Sequence, residues 1–264
     1  MLRAYIEGVG LLGPGLDNWS EGARILAGDI PHAPKPTEFP VASSLPPSER
    51  RRASRATRLV LAIGHEAVHA AGREPSSLAT VFSSSAGDGY NCHEICQMLA
   101  SEDRQLSPTR FHNSVHNAPA GYWSIASGSM APSSVISAYD ASFGAGLLEA
   151  MVQVAATAER SVLVAYDTDY PQPLRATRPV PDSFGIALVL AATAGERSLA
   201  SIDLAFTIDA AEALPVDTLE HLRRVIPAAR GLPLLRALAL GAAKAVVIDY
   251  LDDRRLSIAV SPCS

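Results

Sequence analysis

The chain has 264 residues, of which 48% are hydrophobic and 19% are charged, and its formal net charge is −5 at pH 7. This composition supplies one sizeable core, and the acidic balance argues against nucleic acid as the main ligand. The charged fraction lies below the usual value of about a quarter, as expected if part of the surface is covered by a partner.

The sequence shows no targeting or membrane-spanning segment. Its apolar start is interrupted by Arg3 and Glu7, unlike a signal peptide, and no apolar run is long enough to span a bilayer. The 3 cysteines do not make a disulfide framework. We therefore expect a protein of the reducing cytoplasm, without a membrane span.

Strand and helix patterns alternate along the chain. Short apolar and β-branched runs predict strands at 3–9, 78–85, 134–138, 161–167, 184–192 and 199–207, and a final hairpin around 252–253. Helical spacing predicts helices at 18–27, 48–71, 90–102, 143–158 and 216–229, with turns and short helix over 107–128. This order indicates an α/β fold with a largely buried sheet. No linker divides the chain, so we predict a single domain over residues 1–264.

Residues 8–13 (GVGLLG) match the glycine pattern of dinucleotide-binding folds directly after a strand. That pattern needs a helix beginning at the glycines, so that free N–H groups meet the pyrophosphate. Here Pro14 and Gly15 follow at once, and no second strand ending in an acidic residue follows at the required distance. We interpret the stretch as a tight strand-to-loop turn and expect no cofactor.

Residues 65–69 (HEAVH) lie on a predicted helix, where His65 and His69 share a face and can bind zinc with Glu66 as base. In the related metalloprotease pattern the third ligand falls on Pro75, which cannot bind a metal. Apolar residues along the same helix indicate that at least one histidine packs against the sheet. We predict no metal site, and a zinc-dependent hydrolase stays an alternative.

Residues 137–146 (SAYDASFGAG) join a β-branched run to a helix without a break. A strand that enters a helix through small residues is where many α/β enzymes hold a nucleophile. The tip carries Tyr139 and Asp140 instead of a serine or cysteine. A stand-alone decarboxylase or hydrolase that uses Asp140 with His116 is a second alternative.

The order of these features resembles the β-ketoacyl synthases, condensing enzymes of the thiolase fold. Residues 4–31 resemble the family's opening strand, glycine turn and helix. Residues 114–150 resemble its Asn-x-x-Ala-Gly helix, Gly-x-x-Gly-Pro-like turn, nucleophile strand and nucleophile elbow. The resemblance implies a thiolase-like layered α/β fold, with a family-like N-terminal half over 1–195 and a truncated C-terminal half over 196–264.

In this alignment the family's catalytic cysteine falls on Asp140. The family also uses two histidines in its C-terminal half, and His221, the one histidine after residue 130, matches neither motif. The resemblance therefore implies no catalytic residue and no activity of the subunit alone. It implies a chain length factor, which pairs with an active β-ketoacyl synthase and shapes the channel for an acyl or polyene chain on acyl carrier protein. The short form without cysteine is most similar to those of aryl-polyene-type type II polyketide systems.

In that family the strand before the elbow pairs across the dimer axis, and a neighbouring loop reaches the partner's active site. The resemblance thus implies a channel and heterodimer interface made of two groups. The strand and elbow supply Val135, Ile136, Ser137, Tyr139, Asp140 and Phe143, and the loop supplies His112, Asn113, His116 and Asn117. The loop residues have an alternative role, which is to cap and tie down an irregular loop.

Residues 49–58 (ERRRASRATR) place arginines at the start of a predicted helix, where the helix dipole disfavours cations. An acidic carrier protein or carboxylates of the partner would offset this. A solvated helix face is the alternative.

Overall fold

One mixed sheet of eight strands organises the computed structural model, which describes residues 2–263. The strands are β1 (Leu2–Leu12), β2 (Ala79–Ser83), β3 (Ser133–Ile136), β4 (Ser161–Asp167), β5 (Phe184–Ala191), β6 (Ala200–Thr207), β7 (Lys244–Asp249) and β8 (Arg255–Pro262). The helices are α1 (Trp19–Ala27), α2 (Pro47–Arg52), α3 (Arg55–Ala70), α4 (Gly89–Ala100), α5 (Pro108–His112), α6 (Ala118–Ser127), α7 (Ser142–Thr157), α8 (Leu174–Thr177), α9 (Asp217–Val225) and α10 (Leu232–Leu240). None of these helices combines the length and the apolar character needed to cross a lipid bilayer.

Helices cover both faces of the sheet. Strands β4 and β5 are buried along their whole length, as their nearly continuous apolar sequences predict. Helices α3 and α6 pack against one face, and α7, α9 and α10 pack against the other. The predicted α/β class with a largely buried sheet is therefore confirmed.

The strand order is β3-β2-β4-β5-β1-β6-β8-β7, and only the β3-β2-β4 part is parallel. The carboxyl ends of these three strands meet at one end of the sheet, which is where α/β folds place their functional groups. Strand β3 forms the edge there. Strands β6, β8 and β7 extend the same sheet on the far side of β1. The shortened C-terminal part thus enlarges this sheet.

The predicted helix over 48–71 is two helices, α2 and α3. The backbone of Ala53 is extended, with ψ at 120°. Ser54, not Ser48, caps the long helix by accepting a backbone N–H of its first turn at 3.2 Å. Residues 50–52 therefore lie in the last turn of α2, where the helix dipole favours cations.

Gly8 and Gly10 lie inside β1, so the predicted strand-to-loop turn is wrong for them. A Cβ atom on Gly8 would lie 2.1 Å from the Ala67 carbonyl oxygen, and one on Gly10 would lie 2.0 Å from that of Ile63. The missing side chains let α3 lie directly on the strand. Close helix packing accounts for the glycine pattern without a nucleotide.

A bulge in β1 carries the buried carboxylate of Glu7. Arg160 donates to it from Nε and Nη2 at 2.7 and 2.9 Å, and Arg73 from the same atoms at 3.1 and 3.2 Å. Burial raises the pKa of Glu7, but the two guanidinium groups outweigh burial and lower it. The cluster connects β1 to the segments that precede β2 and β4.

Candidate functional site

Strand β3 leads into α7 through residues 137–142, here termed the elbow. A 3₁₀ turn over Tyr139–Ala141 connects the two elements. Tyr139 has a φ of 52°, in the left-handed region that ordinary residues rarely adopt. The Ser142 hydroxyl holds this backbone, because it donates to the Tyr139 carbonyl at 2.7 Å and accepts the Ala138 N–H at 3.0 Å. The predicted strand-to-helix corner is therefore present, and its tip is strained and fixed.

Both carboxylate oxygens of Asp140 bind arginines. Arg178 Nη2 donates to Oδ1 at 2.7 Å, and Arg230 Nη2 donates to Oδ2 at 3.1 Å. The arginine side chains are 16% and 18% exposed, whereas that of Asp140 is 42% exposed. Among the described residues, no side chain caps the start of α7. The Asp140 carboxylate therefore binds the arginines and does not cap the helix N-terminus. Sequence reasoning found Asp140 but neither of its partners.

The two aromatic residues beside Asp140 lie in different surroundings. Tyr139 is 64% exposed, and the guanidinium carbon of Arg178 lies 3.6 Å from the centroid of its ring. Phe143 is buried in the core, where its ring occupies the space that a Cβ on Gly231 would need. Tyr139 is therefore available to a partner or ligand, whereas Phe143 supports the elbow from behind.

The edge of β3 presents free backbone groups. Thr80 N–H donates to the Pro132 carbonyl and Ser84 N–H to the Ile136 carbonyl, so β2 pairs with the even-numbered residues of β3. The N–H and C=O of Val135 point away from the sheet, because backbone groups alternate along a strand. The side chains of Val135 and Ile136 are half-buried, and Ser137 is exposed.

The loop group divides between structural and surface roles. Asn113 is buried and donates from Nδ2 to the Arg52 carbonyl at 2.9 Å, which ties the loop down. His116 lies beside Gly87, and His112 lies edge-on to Tyr122. Asn117 is exposed just before α6.

Exposed apolar side chains surround this loop. Phe111, Val115 and Ile125, here termed the α5–α6 face, are 67%, 53% and 50% exposed. They line a cleft of about 510 Å³ together with His112 and Asn117. Exposed apolar patches are typical of interaction surfaces.

The HEAVH residues have other partners than a metal. Glu66 accepts the N–H groups of Leu11 and Trp19 at 2.9 and 2.6 Å, which fixes the start of α1. The His65 ring stacks on Trp123 with centroids 4.9 Å apart, and burial lowers its pKa. Within residues 2–263 no group of three or more His, Cys, Asp or Glu side chains can hold a metal ion. The zinc alternative lacks its ligand set.

The second alternative, a pair of Asp140 and His116, also lacks its geometry. Arginines occupy both oxygens of Asp140. The Nε2 atom of His116 is buried and has no hydrogen-bond partner among the described residues, so the carboxylate does not orient it. A carboxylate–histidine relay is therefore not formed.

A family model for the N-terminal domain of β-ketoacyl synthases matches residues 19–239. The chain belongs to the β-ketoacyl synthase family. The resemblance inferred from the elbow and its flanking elements is confirmed. No curated protein matches the sequence.

Solved structures show the same ketosynthase-type fold. The ketosynthase ApeO in complex with its chain length factor ApeC from Xenorhabdus doucetiae matches with 25% identity and a TM-score of 0.73, over 98% of this chain and 100% of that chain. The ishigamide ketosynthase/chain length factor matches with 12% identity and a TM-score of 0.76, over 100% of both chains. A type II polyketide acyl carrier protein with its hexaketide-bound ketosynthase, AntDE:AntF, matches with 13% identity and a TM-score of 0.71, over 99% of both chains. The predicted thiolase-like fold is confirmed.

A buried carboxylate, Asp167, lies beneath the elbow of this ketosynthase-family chain. It accepts the N–H and hydroxyl of Ser85 at 2.9 and 2.6 Å and the Ala228 N–H at 2.8 Å. Ser137 donates to the Ser85 carbonyl at 3.2 Å, which connects the elbow to this cluster. Burial raises the pKa of Asp167 to about 6, although these hydrogen bonds oppose the shift.

We compare the free energies of unfolding of the wild type and Asp167→Asn. The amount by which the wild type exceeds the variant is expected to decrease as the pH rises. The folded pKa of about 6 lies above the ordinary value of 3.8, so protonation stabilises the fold at low pH and this contribution is lost as the pH rises through the folded pKa. Between pH 5 and pH 7 the difference should fall by roughly 1 kcal/mol. Urea denaturation at both pH values measures it, with Asp253→Asn, an 85% exposed carboxyl, as control. An equal difference at both pH values would contradict the assignment.

A cleft between the start of α3 and helices α4 and α5 is rich in arginine. This arginine cleft has a volume of about 530 Å³, and its basic residues are Arg51, Arg52, Arg55, Arg58 and Arg110. Arg55 pairs with Asp169 at 2.8 Å. The Nε atom of Arg58 is buried and has no hydrogen-bond partner within residues 2–263. Five arginines against the carboxylates of Asp88 and Glu94 give the cleft an excess of positive charge.

Proposed function

We propose that the protein is a chain length factor, a non-catalytic ketosynthase-like subunit that acts in the cytoplasm. It pairs with an active β-ketoacyl synthase and shapes the channel for an acyl or polyene chain carried by acyl carrier protein. The observation that carries the proposal is Asp140, which stands in place of the family's cysteine and is bound on both oxygens by arginines. Condensation needs a thiolate, and a carboxylate held in this way is a poor acyl acceptor.

Two adjoining features support a heterodimer. The free edge of β3 can pair with a strand of the partner, as exposed sheet edges do. The 97% exposed side chain of Met130, shortly before β3, and the α5–α6 face supply exposed apolar surface. A stable interface buries about 800 Å² on each partner, and we propose that the strand edge and this apolar surface contribute to it together.

We assign the channel to five residues of the two predicted groups that are exposed or partly exposed. Tyr139 and Asp140 lie at the elbow, and His112, His116 and Asn117 lie along the loop that precedes α6. His112 and Asn117 border the apolar cleft beside this loop, as expected for a channel that admits a carbon chain and keeps its polar end at the rim.

Intact-protein mass spectrometry tests the absence of catalysis. The heterodimer is incubated with an acyl carrier protein that carries an acyl thioester. We expect an acyl adduct on the cysteine of the partner ketosynthase and none on this chain. Asp140→Cys is expected to give no condensation by this subunit, because the family's two C-terminal histidines have no counterpart. An acyl adduct on the wild-type chain, followed by product, would refute the proposal.

The arginine cleft is proposed as a contact for the acidic carrier protein. Replacement of Arg51 and Arg58 by Glu should weaken binding of carrier protein to the heterodimer about tenfold at low salt and reduce its salt dependence. Surface plasmon resonance at two ionic strengths measures both. The control replaces two exposed arginines elsewhere, Arg224 on α9 and Arg254 on the turn between β7 and β8, by Glu, which changes the net charge by the same amount. Equal effects of the two double variants would show that only net charge matters.

A further inference from the structure

Two arginines bind Asp140, but one of them also contacts the neighbouring tyrosine. Arg178 donates from Nη2 to Asp140 at 2.7 Å, and its guanidinium carbon lies 3.6 Å from the centroid of the Tyr139 ring. Arg230 reaches the same carboxylate at 3.1 Å from the other oxygen. Of these two arginines, only Arg178 contacts aromatic rings among the described residues. A single guanidinium therefore links the charge at the elbow tip to the exposed ring beside it.

The exposed ring of Tyr139 is held more firmly than its exposure suggests. Its backbone is fixed in the left-handed region by Ser142, so the side chain leaves the elbow in a set direction. The Arg178 side chain, only 16% exposed, lies against the ring face. A cation stacked on an aromatic face restricts ring rotation, and the ion pair to Asp140 keeps the cation in place.

We propose, resting on the function proposed above, that Tyr139 is a specificity-determining residue of this subunit and that Arg178 is its positioning residue. Tyr139 follows the free edge of β3 by three residues, and its ring is exposed. A growing chain that reaches the elbow meets a ring that is fixed and does not swing aside. Asp140 thereby has a role without covalent chemistry, which is to anchor Arg178.

Two matched substitutions separate stacking from charge. Arg178→Lys and Arg230→Lys each keep a cation beside Asp140, but lysine lacks the planar group that stacks on a ring. Hydrogen exchange of the segment 137–143 should accelerate at least about threefold in Arg178→Lys, the change expected from loss of an exposed cation–π contact. In Arg230→Lys the segment should keep exchange rates close to those of the wild type. Equal acceleration in both would show that the contact of Arg178 with the ring does not place the tyrosine, and it would overturn the proposal.

Product analysis of the assembled heterodimer provides the second test. Tyr139→Ala and Arg178→Lys should each raise the ratio of longer to wild-type-length products at least about threefold. Tyr139→Phe should restore the wild-type ratio, because the ring face is kept. Arg175→Lys, an exposed arginine on helix α8 directly before Arg178, is the control. An unchanged ratio in complexes that assemble normally would overturn this inference and leave the proposed function standing. Failure of the wild-type chain to assemble would overturn the proposed function itself.

Discussion

Glu7→Gln is expected to lower the free energy of unfolding by about 3 kcal/mol, the lower end of the range for breaking a buried ion cluster. The Glu7 side chain is 0% exposed, while Arg73 and Arg160 are 33% and 35% exposed. In the Glu7→Gln variant the two arginines can still reach water, which is why we expect a cost at the lower end of that range. Chemical denaturation followed by circular dichroism measures the change.

The control for Glu7→Gln is Asp203→Asn, which removes the carboxylate of the ion pair with Arg3, a residue on the same strand β1. The Arg3 side chain is 60% exposed, so this change should lower the free energy of unfolding much less than Glu7→Gln does. The pKa of Glu7 is lowered from its ordinary value of 4.5, so its contribution is present at neutral pH and lost as the pH falls below that value. Similar costs for the two substitutions would contradict the role of the buried cluster.

Val135→Pro is expected to weaken the heterodimer roughly a hundredfold, equivalent to about 3 kcal/mol. The Val135 N–H points away from β2, so proline removes a donor that only a partner strand can use. The partner's carbonyl then loses its hydrogen bond inside the interface. The monomer keeps its own sheet, because the ladder to β2 uses the neighbouring residues. Analytical ultracentrifugation of both chains measures the dissociation constant.

Val135→Thr is the matched control, since it keeps the β-branched shape and the N–H. We expect a change in affinity of less than about tenfold for this variant. Urea denaturation of the isolated Val135→Pro chain confirms that the fold is intact. Wild-type affinity in Val135→Pro would show that the edge of β3 does not pair with the partner.

Strands and long helices could be predicted from sequence because their patterns are local. Continuous apolar runs predicted the ends of β4 and β5 to within one residue of the observed ends. The helix over 48–71 was wrong because Ser48 and Ser54 are both good caps, and only the extended backbone of Ala53 decides between them. Helix α10 was missed because the helical pattern was not continued beyond 229, where a 3₁₀ turn at Pro227–Gly231 separates it from α9.

Only the part of the site that lies in one continuous segment of the chain could be predicted from the sequence. The elbow, Tyr139 and Asp140 follow from a strand that enters a helix through small residues. The arginines that bind Asp140 lie 38 and 90 residues away in sequence, and no local pattern connects them to it. Asp167 was missed for a similar reason. It ends a buried strand, and its role depends on Ser85 and Ala228, which only the folded chain brings to it.

As a chain length factor, this chain would work as the inactive half of a ketosynthase heterodimer. Co-expression with a tagged, cysteine-containing β-ketoacyl synthase from the same organism tests this pairing. The tagged complex is then analysed by size-exclusion chromatography with light scattering. We expect a complex of one copy of each chain that stays together through the column. Two proteins that elute independently, each at its own mass, would contradict it.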